Sequence, residues 1–179
     1  MRIEKGKYAT FQFPIYKSDN TRPTTNMAKE ALFSTLEGYL NWEKCVVVDL
    51  FAGTGNIGLE ALSRGATELY SVDIFNKNIL YLHEIKKKLQ ATNWHIIKKD
   101  ALQYLQQQNP HANLIFADPP YNYAGIHALV NFVLQTENFK NNNCIFVLEH
   151  IDRVQLESKE IFLRKKYGNT CFTFYKFAD

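Results

Sequence analysis

The chain reads as an α/β domain built on a doubly wound, mostly parallel seven-stranded sheet with a C-terminal antiparallel hairpin. Three observations predict this. Cys45-Val46-Val47-Val48-Asp49-Leu50-Phe51 is a continuous apolar, β-branched run, the pattern of a central parallel strand buried on both faces. From there to Glu149, short apolar runs alternate with segments of helical period, the rhythm of repeated β-α units. The last stretch changes rhythm: two strand-like runs, 161–167 and 170–177, flank Gly168-Asn169, the composition of a tight antiparallel turn.

Composition agrees with one globular domain. The chain has 179 residues and 46% apolar content, enough for a substantial core and too apolar for disorder. No apolar run approaches the ~20 residues that cross a bilayer, and Met1-Arg2-Ile3-Glu4-Lys5 lacks the apolar centre of a signal peptide. Cys45, Cys144 and Cys171 are isolated and odd in number, so they are expected to be buried thiols of a cytoplasmic protein, without a disulfide framework or zinc spacing. The histidines are scattered, and no metal site is expected.

Residues 1–25 are expected to form a basic arm ahead of the domain of residues 26–179. Arg2, Lys5, Lys7, Lys17 and Arg22 stand there against Glu4 and Asp19, a net +3 that accounts for the charge of the whole chain. A basic arm on a neutral body suits a polyanion, although a solvated tail has the same composition. Tyr8-Ala9-Thr10-Phe11-Gln12-Phe13 alternates weakly and is expected to form a strand or hairpin arm. Thr24 or Thr25 is placed to cap a helix running to about Tyr39, with Ala28, Leu32, Leu36 and Leu40 on one face.

Directly after the first strand comes Gly53-Thr54-Gly55-Asn56-Ile57-Gly58, a G-x-G-x-x-G match that opens a helix ending before Gly65. Such a turn lets backbone N–H groups approach a ligand, and the helix N-terminus favours a carboxylate or phosphate. The second strand, Glu68 to Asp73, ends in an acid 20 positions after Gly53. That spacing suits a carboxylate on ribose hydroxyls; a helix cap is the other reading of Asp73. The next helix carries Ile79, Leu82, Ile85 and Leu89 inward and Lys86-Lys87-Lys88 on a solvated face. A third strand, Trp94 to Lys98, leads to Asp100-Ala101, where Asp100 either accepts from an adenine amine or caps the helix of 101–108.

The fourth strand, Leu114-Ile115-Phe116, runs into Asp118-Pro119-Pro120-Tyr121. Two prolines cannot continue a ladder, so the chain must turn outward at the strand's carboxyl end, where open α/β sheets bind ligands. A carboxylate, rigid carbonyls and an aromatic ring together could hold an exocyclic base amine; a plain Pro-Pro turn is the bland alternative. A helix over about 124–136 and a strand at 144–149 follow.

The Asp49–Gly55 stretch with Asp118-Pro119-Pro120-Tyr121 resembles S-adenosylmethionine-dependent amino-methyltransferases. Arg22-Pro23-Thr24-Thr25, Lys29-Glu30-Ala31-Leu32-Phe33 and Gly58–Ala66 (GLEALSRGA) narrow the resemblance to the RsmD family, the 16S rRNA (guanine-966-N2)-methyltransferases, over nearly the whole chain. It implies a Rossmann-like class I methyltransferase using S-adenosyl-L-methionine. Asp118, Pro119, Pro120 and Tyr121 would be catalytic. Asp49, Phe51, Ala52, Gly53, Gly55, Gly58, Asp73, Asp100 and Ala101 would bind the cofactor, and Arg2, Lys5, Lys7, Arg22 and Thr24 the RNA. The partner implied is 16S rRNA, either naked or within a protein-bound small-subunit assembly intermediate, with no metal or membrane involved. The Lys7–Phe13 stretch is less basic than the family pattern, which weakens the expected electrostatic grip on RNA and leaves its aromatics free to stack on bases instead. Alternatives sharing this site are an adenine-N6 methyltransferase of DNA or RNA and a non-catalytic adenosylmethionine-binding assembly factor; a dehydrogenase shares only the glycine loop.

Overall fold

The computed structural model describes residues 2–14 and 26–177. Helix α1 (Asn26–Leu36) and a 3-10 turn (Trp42–Lys44) precede β1 (Val46–Leu50). Then follow α2 (Asn56–Ser63), β2 (Glu68–Asp73), α3 (Asn76–Leu89), β3 (Trp94–Lys98), α4 (Ala101–Gln108) and β4 (Leu114–Ala117). The chain ends with α5 (Ile126–Gln135), α6 (Glu137–Asn141), β5 (Ile145–Ile151), β6 (Ile161–Tyr167) and β7 (Thr170–Lys176).

The seven strands form one sheet in the order β3-β2-β1-β4-β5-β7-β6. The first five run parallel, and β7 inserts antiparallel between β5 and β6. Val48 of β1 is aligned with Tyr70 on one side and Ile115 on the other, so β1 is the centre from which the two halves wind apart. That reversal between β1 and β4 opens a crevice at their carboxyl ends.

Strand alternation divides the core between the two faces. On one face Val47, Leu69, Phe116, Val147 and Phe174 pack with Leu32, Phe33, Leu59 and Leu82 from α1, α2 and α3. On the other, Val48, Val72, Ile115, Phe146 and Tyr175 pack with Tyr104, Leu105, Leu129 and Phe139 from α4, α5 and α6. The apolar runs of β1 and β4 therefore follow from burial on both faces.

Several expectations needed correction. Helix α1 stops at Leu36 instead of about Tyr39: Gly38 N–H turns to Thr35 O, and Tyr39, 51% exposed, turns its ring onto Phe162 of the terminal hairpin. The helix expected over about 124–136 is α5, but past an extended Thr136 an unexpected short helix, α6, buries Phe139. Tyr8–Phe13 forms a turn and extended chain, not a strand. Its amides are already used: Lys7 N–H donates to Ser63 O at 2.8 Å and Tyr8 N–H to Ser63 Oγ at 2.9 Å. The expected caps Thr24 and Thr25 lie outside the described residues.

The first part of the arm is bound to α2. Ile3 is buried, and Glu4 and Lys5 N–H groups donate to Glu60 Oε2 and Oε1 at 2.8 and 3.2 Å. Glu60 also faces Lys29 Nζ at 3.3 Å and accepts from Arg64 Nε at 2.8 Å. Lys29 and Glu60 are fully buried; Lys29 further donates to Arg2 O and, at 3.1 Å, to Asn56 Oδ1 at the start of α2. Gly6 makes the approach possible, since a Cβ there would lie 1.8 Å from Ser63 O. Such a buried pair needs these extra hydrogen bonds to offset its desolvation.

Candidate active site at the carboxyl edge of the sheet

Parallel strands bring the acids at their carboxyl ends to one edge. Asp49 comes from β1, Asp73 ends β2, Asp100 follows β3, Asp118 follows β4 and Glu149 lies near the end of β5. The crevice between β1 and β4 lies among them.

Phe51 is the first residue past β1, and its φ of 61° is unusual for a bulky side chain. The strain is held in place: Ala52 N–H donates to Val72 O at 2.9 Å, and the Phe51 ring meets Tyr123 edge-on at 5.0 Å. The turn continues through Gly53 (φ 55°) and Gly55 (φ 75°), the latter being the N-cap of α2 with no side-chain cap bond. A Cβ on Gly53 would touch only Phe51 O at 3.8 Å, so the backbone here presents an open surface.

Asp73 is 5% exposed and is tied to this turn. Its Oδ2 accepts from Gly53 N–H at 2.8 Å and Asn78 Nδ2 at 2.9 Å, and its Oδ1 from Phe75 N–H at 2.8 Å. The N-cap of α3 is Phe75, so Asp73 is not the cap itself; it steadies the start of that helix from two residues before and stands beside the glycine turn. Asp49 is buried behind that turn, with Oδ2 accepting from Gly58 N–H at 2.9 Å. A Cβ on Gly58 would lie 2.8 Å from the same oxygen, which is why this position takes glycine. Burial outweighs the hydrogen bond and, with Asp73 nearby, pushes the Asp49 carboxyl up to about 7.

Asp100 is the N-cap of α4, its side chain accepting from Gln103 N–H at 3.0 Å, and Ala101 is buried beneath it. The capping alternative is thus realised at Asp100. Burial first, then the Asp100 charge, raises the Tyr123 pKa.

The prolines end β4 as expected. Asp118 is half-buried, Pro119 buried, Pro120 exposed, and the Tyr121 ring is 64% exposed at the edge. Pro120 O accepts Tyr123 N–H at 2.8 Å, which fixes the turn. Burial, then the neighbouring Glu149 and Asp49 carboxylates, hold Asp118 well above the usual carboxylate range.

Among the RNA-binding candidates, Arg2, Lys5 and Lys7 are exposed, near α2. Arg2 pairs with Glu4 at 3.5 Å, Lys5 with Glu37 at 3.4 Å, and Lys7 lies over the Tyr8 ring at 5.1 Å. Arg22 and Thr24 lie outside the described residues. Sequence reasoning gave no role to Glu149, Tyr123 or Asn78. Glu149 carried a legible signal, an acid after an apolar run, although β5 continues past it to Ile151. Among the described residues no group of His, Cys, Asp and Glu could hold a metal ion, and no helix is long and apolar enough to cross a membrane.

The sheet order, the glycine turn after β1 and the Asp-Pro-Pro-Tyr turn after β4 define a Rossmann-like class I methyltransferase. Solved structures share the fold: the Escherichia coli protein yhhF superposes with a TM-score of 0.81 at 24% identity, covering 98% of this chain and 97% of that one. An RNA methyltransferase from Salinibacter ruber, in complex with S-adenosyl-L-homocysteine, gives 0.66 at 11% identity, covering 87% and 93%. Residues 1–176 match the family described as Conserved hypothetical protein 95, and the chain belongs to that family. The Ribosomal RNA small subunit methyltransferase D of Buchnera aphidicola subsp. Baizongia pistaciae is 33% identical over 82% of this chain and 74% of the relative. The Haemophilus influenzae protein of that name is 29% identical over 98% and 93%.

Proposed function

We propose that this methyltransferase moves the methyl group of S-adenosyl-L-methionine to the exocyclic N2 amine of a guanine in 16S rRNA. The observation that carries this reading is the Asp118-Pro119-Pro120-Tyr121 turn, held at the carboxyl end of β4 beside the glycine turn that follows β1. The names of the full-length relatives supply the substrate class.

The residues present suit the cofactor. The open surface at Gly53 and the N-terminus of α2 after Gly55 suit a methionine carboxylate. A carboxylate has about four acceptor sites, and three hydrogen bonds to Asp73 leave capacity for a ribose hydroxyl. Asp100 and Ala101 would hold the adenine; Asp49, Phe51, Ala52 and Gly58 shape the turn from behind. When bound, the cofactor supplies an electrophilic methyl group on a sulfonium.

The remaining work belongs to the chain. Tyr121 offers its exposed ring to the face of an unstacked base. The Asp118 carboxylate and the Pro119 carbonyl accept the two N2 protons, turning the nitrogen lone pair toward the methyl group. In that arrangement the Asp118 charge would stabilise the positive charge developing on the nitrogen as it takes the methyl group, S-adenosylhomocysteine being the leaving group and one N2 proton passing to solvent. The basic arm, with Arg2, Lys5 and Lys7 exposed, would hold phosphates during this step.

The test is methylation of protein-bound small-subunit assembly intermediates and of naked 16S rRNA with methyl-labelled cofactor, followed by nucleoside identification. N2-methylguanosine is expected. Label in N6-methyladenosine would replace this reading with the adenine one, and no turnover with retained cofactor binding would favour the assembly factor.

A further inference from the structure

Lys29 of α1 is wholly withdrawn from water, and the steps above give it no part. An ammonium has three N–H donors. Acceptors from three places surround this one: the Arg2 carbonyl of the arm, Glu60 Oε2 at 3.3 Å in the body of α2, and Asn56 Oδ1 at 3.1 Å at its start. Burial lowers the Lys29 pKa and the Glu60 charge raises it again. An acceptor for each proton favours the charged form, and it leaves the ammonium no other place to turn.

Asn56 is the first residue of α2 and follows Gly55 of the cofactor turn directly. An ammonium only donates, so the atom of the Asn56 amide that faces Lys29 is the oxygen. That settles how the planar group lies: Oδ1 toward the buried cluster, and the NH2 on the opposite arm, turned away from it. Asn56 is half-buried, so it keeps a side open to the turn. Among the described residues no acceptor meets its Nδ2. The side chain therefore adds a donor where the first amides of the helix, which have no intrahelical partner, also stand. An Asn56 amide turned the other way would offer its oxygen there and repel an anion.

We propose that Asn56 Nδ2 donates to the methionine carboxylate of S-adenosyl-L-methionine, and that Lys29 is the positioning residue that keeps the amide turned this way. This rests on the cofactor reading above. Lys29 touches no cofactor atom; it acts through Asn56. Because the same ammonium holds the Arg2 carbonyl, the basic arm and the cofactor turn share one anchor.

The experiment titrates the protein, without RNA, with S-adenosyl-L-methionine and with decarboxylated S-adenosylmethionine, which keeps the adenosine, the sulfonium and the amine. The wild type is expected to prefer the first. Asn56→Ala is expected to weaken S-adenosyl-L-methionine about 10-fold or more, the effect of one hydrogen bond to a charged group, and to leave the decarboxylated analogue unchanged. Asn56→Asp keeps the size and the Lys29 contact and replaces the NH2 by an oxygen. It is expected to lose at least as much affinity for S-adenosyl-L-methionine while holding the analogue as well as the wild type does. A merely structural Asn56 would leave Asn56→Asp near normal, or lower both ligands together in Asn56→Ala, and either result would overturn the proposal. Lys29→Met is tested with Glu60→Gln, so that no carboxylate is stranded. That double variant is expected to show the same selective loss, and adding Asn56→Ala to it is expected to change little, the non-additivity of residues acting in series. Unchanged selectivity in the double variant would remove Lys29 from the role. Absence of wild-type binding to either ligand would instead overturn the cofactor reading itself, and equal wild-type affinity for the two would show that no donor holds the carboxylate.

Discussion

Asp73, the last residue of β2, accepts the Gly53 N–H at 2.8 Å and so fastens the end of one strand to the turn that leaves its neighbour. The same carboxylate holds Phe75 N–H and Asn78 Nδ2. Its removal therefore acts on the shape of the cofactor turn as well as on any ribose contact. Asp73→Ala is expected to weaken adenosylmethionine binding about tenfold or more, since hydrogen bonds to a charged group contribute about 1.5–3 kcal/mol. Calorimetric titration checks this; unchanged affinity in a folded variant would rule out the assignment.

At Asp118 the expected effect lies in chemistry. Asp118→Asn keeps the size and loses the charge that stabilises the developing ammonium. kcat is expected to fall about 10²-fold or more, with a smaller change in KM. Tyr121→Ala removes a stacking surface worth about 1–3 kcal/mol and should weaken RNA capture, while Tyr121→Phe should keep most of the activity. Single-turnover methylation at saturating RNA separates the two effects, and near-normal chemistry in Asp118→Asn would defeat the mechanism.

The buried Asp49 carboxyl gives a signature in stability. Its folded pKa, about 7, exceeds the unfolded value of about 3.9. Between those values the folded state binds the extra proton, so this group's contribution favours folding at low pH and is lost as pH rises from about 4 to about 7. Asp49→Asn should flatten that part of the profile, measured by denaturant titration of the cofactor-free protein. An equally steep decline in the variant would place its origin elsewhere.

Glu60 is the counter-charge of the fully buried Lys29 and the acceptor for two amides of the arm. Glu60→Ala should cost about 3–5 kcal/mol, the usual penalty for stranding one partner of a buried pair, and amide exchange at Glu4 and Lys5 should accelerate. A loss below about 1 kcal/mol would show that water or rearrangement replaces the contact.

Replacing Arg2, Lys5 and Lys7 together with Gln should flatten the salt dependence of RNA binding. Each lost phosphate contact removes about 0.7 to 0.9 from the log–log slope. Adenosylmethionine affinity should not change. An unaltered slope would make these side chains a solvated surface.

The elements that position the site were the most legible. β2, β3 and α4 have the expected limits because burial, the Asp100 cap and the Gln108–Asn109 exit are local signals. The glycine turn and the Asp-Pro-Pro-Tyr turn were readable because backbone geometry there demands glycine or forbids an N–H. The nearness of Glu149 to Asp118 was not, since it depends on strand order and register between segments distant in sequence. The arm misled for a related reason: Tyr8–Phe13 alternates like a strand, but Ser63 had already taken the amides of Lys7 and Tyr8.

The Glu4 contact to Glu60 joins residues 56 positions apart. Ile3 and Glu4 are translated well before α2, and they can dock only after Glu60 has left the ribosome exit tunnel. Closing a loop of that length carries an entropy cost of about 3.6 kcal/mol from its length-dependent part alone. The residues made first therefore stay undocked until α2 has been made, and Ile3 and Tyr8, both buried in the folded chain, are uncovered during that interval.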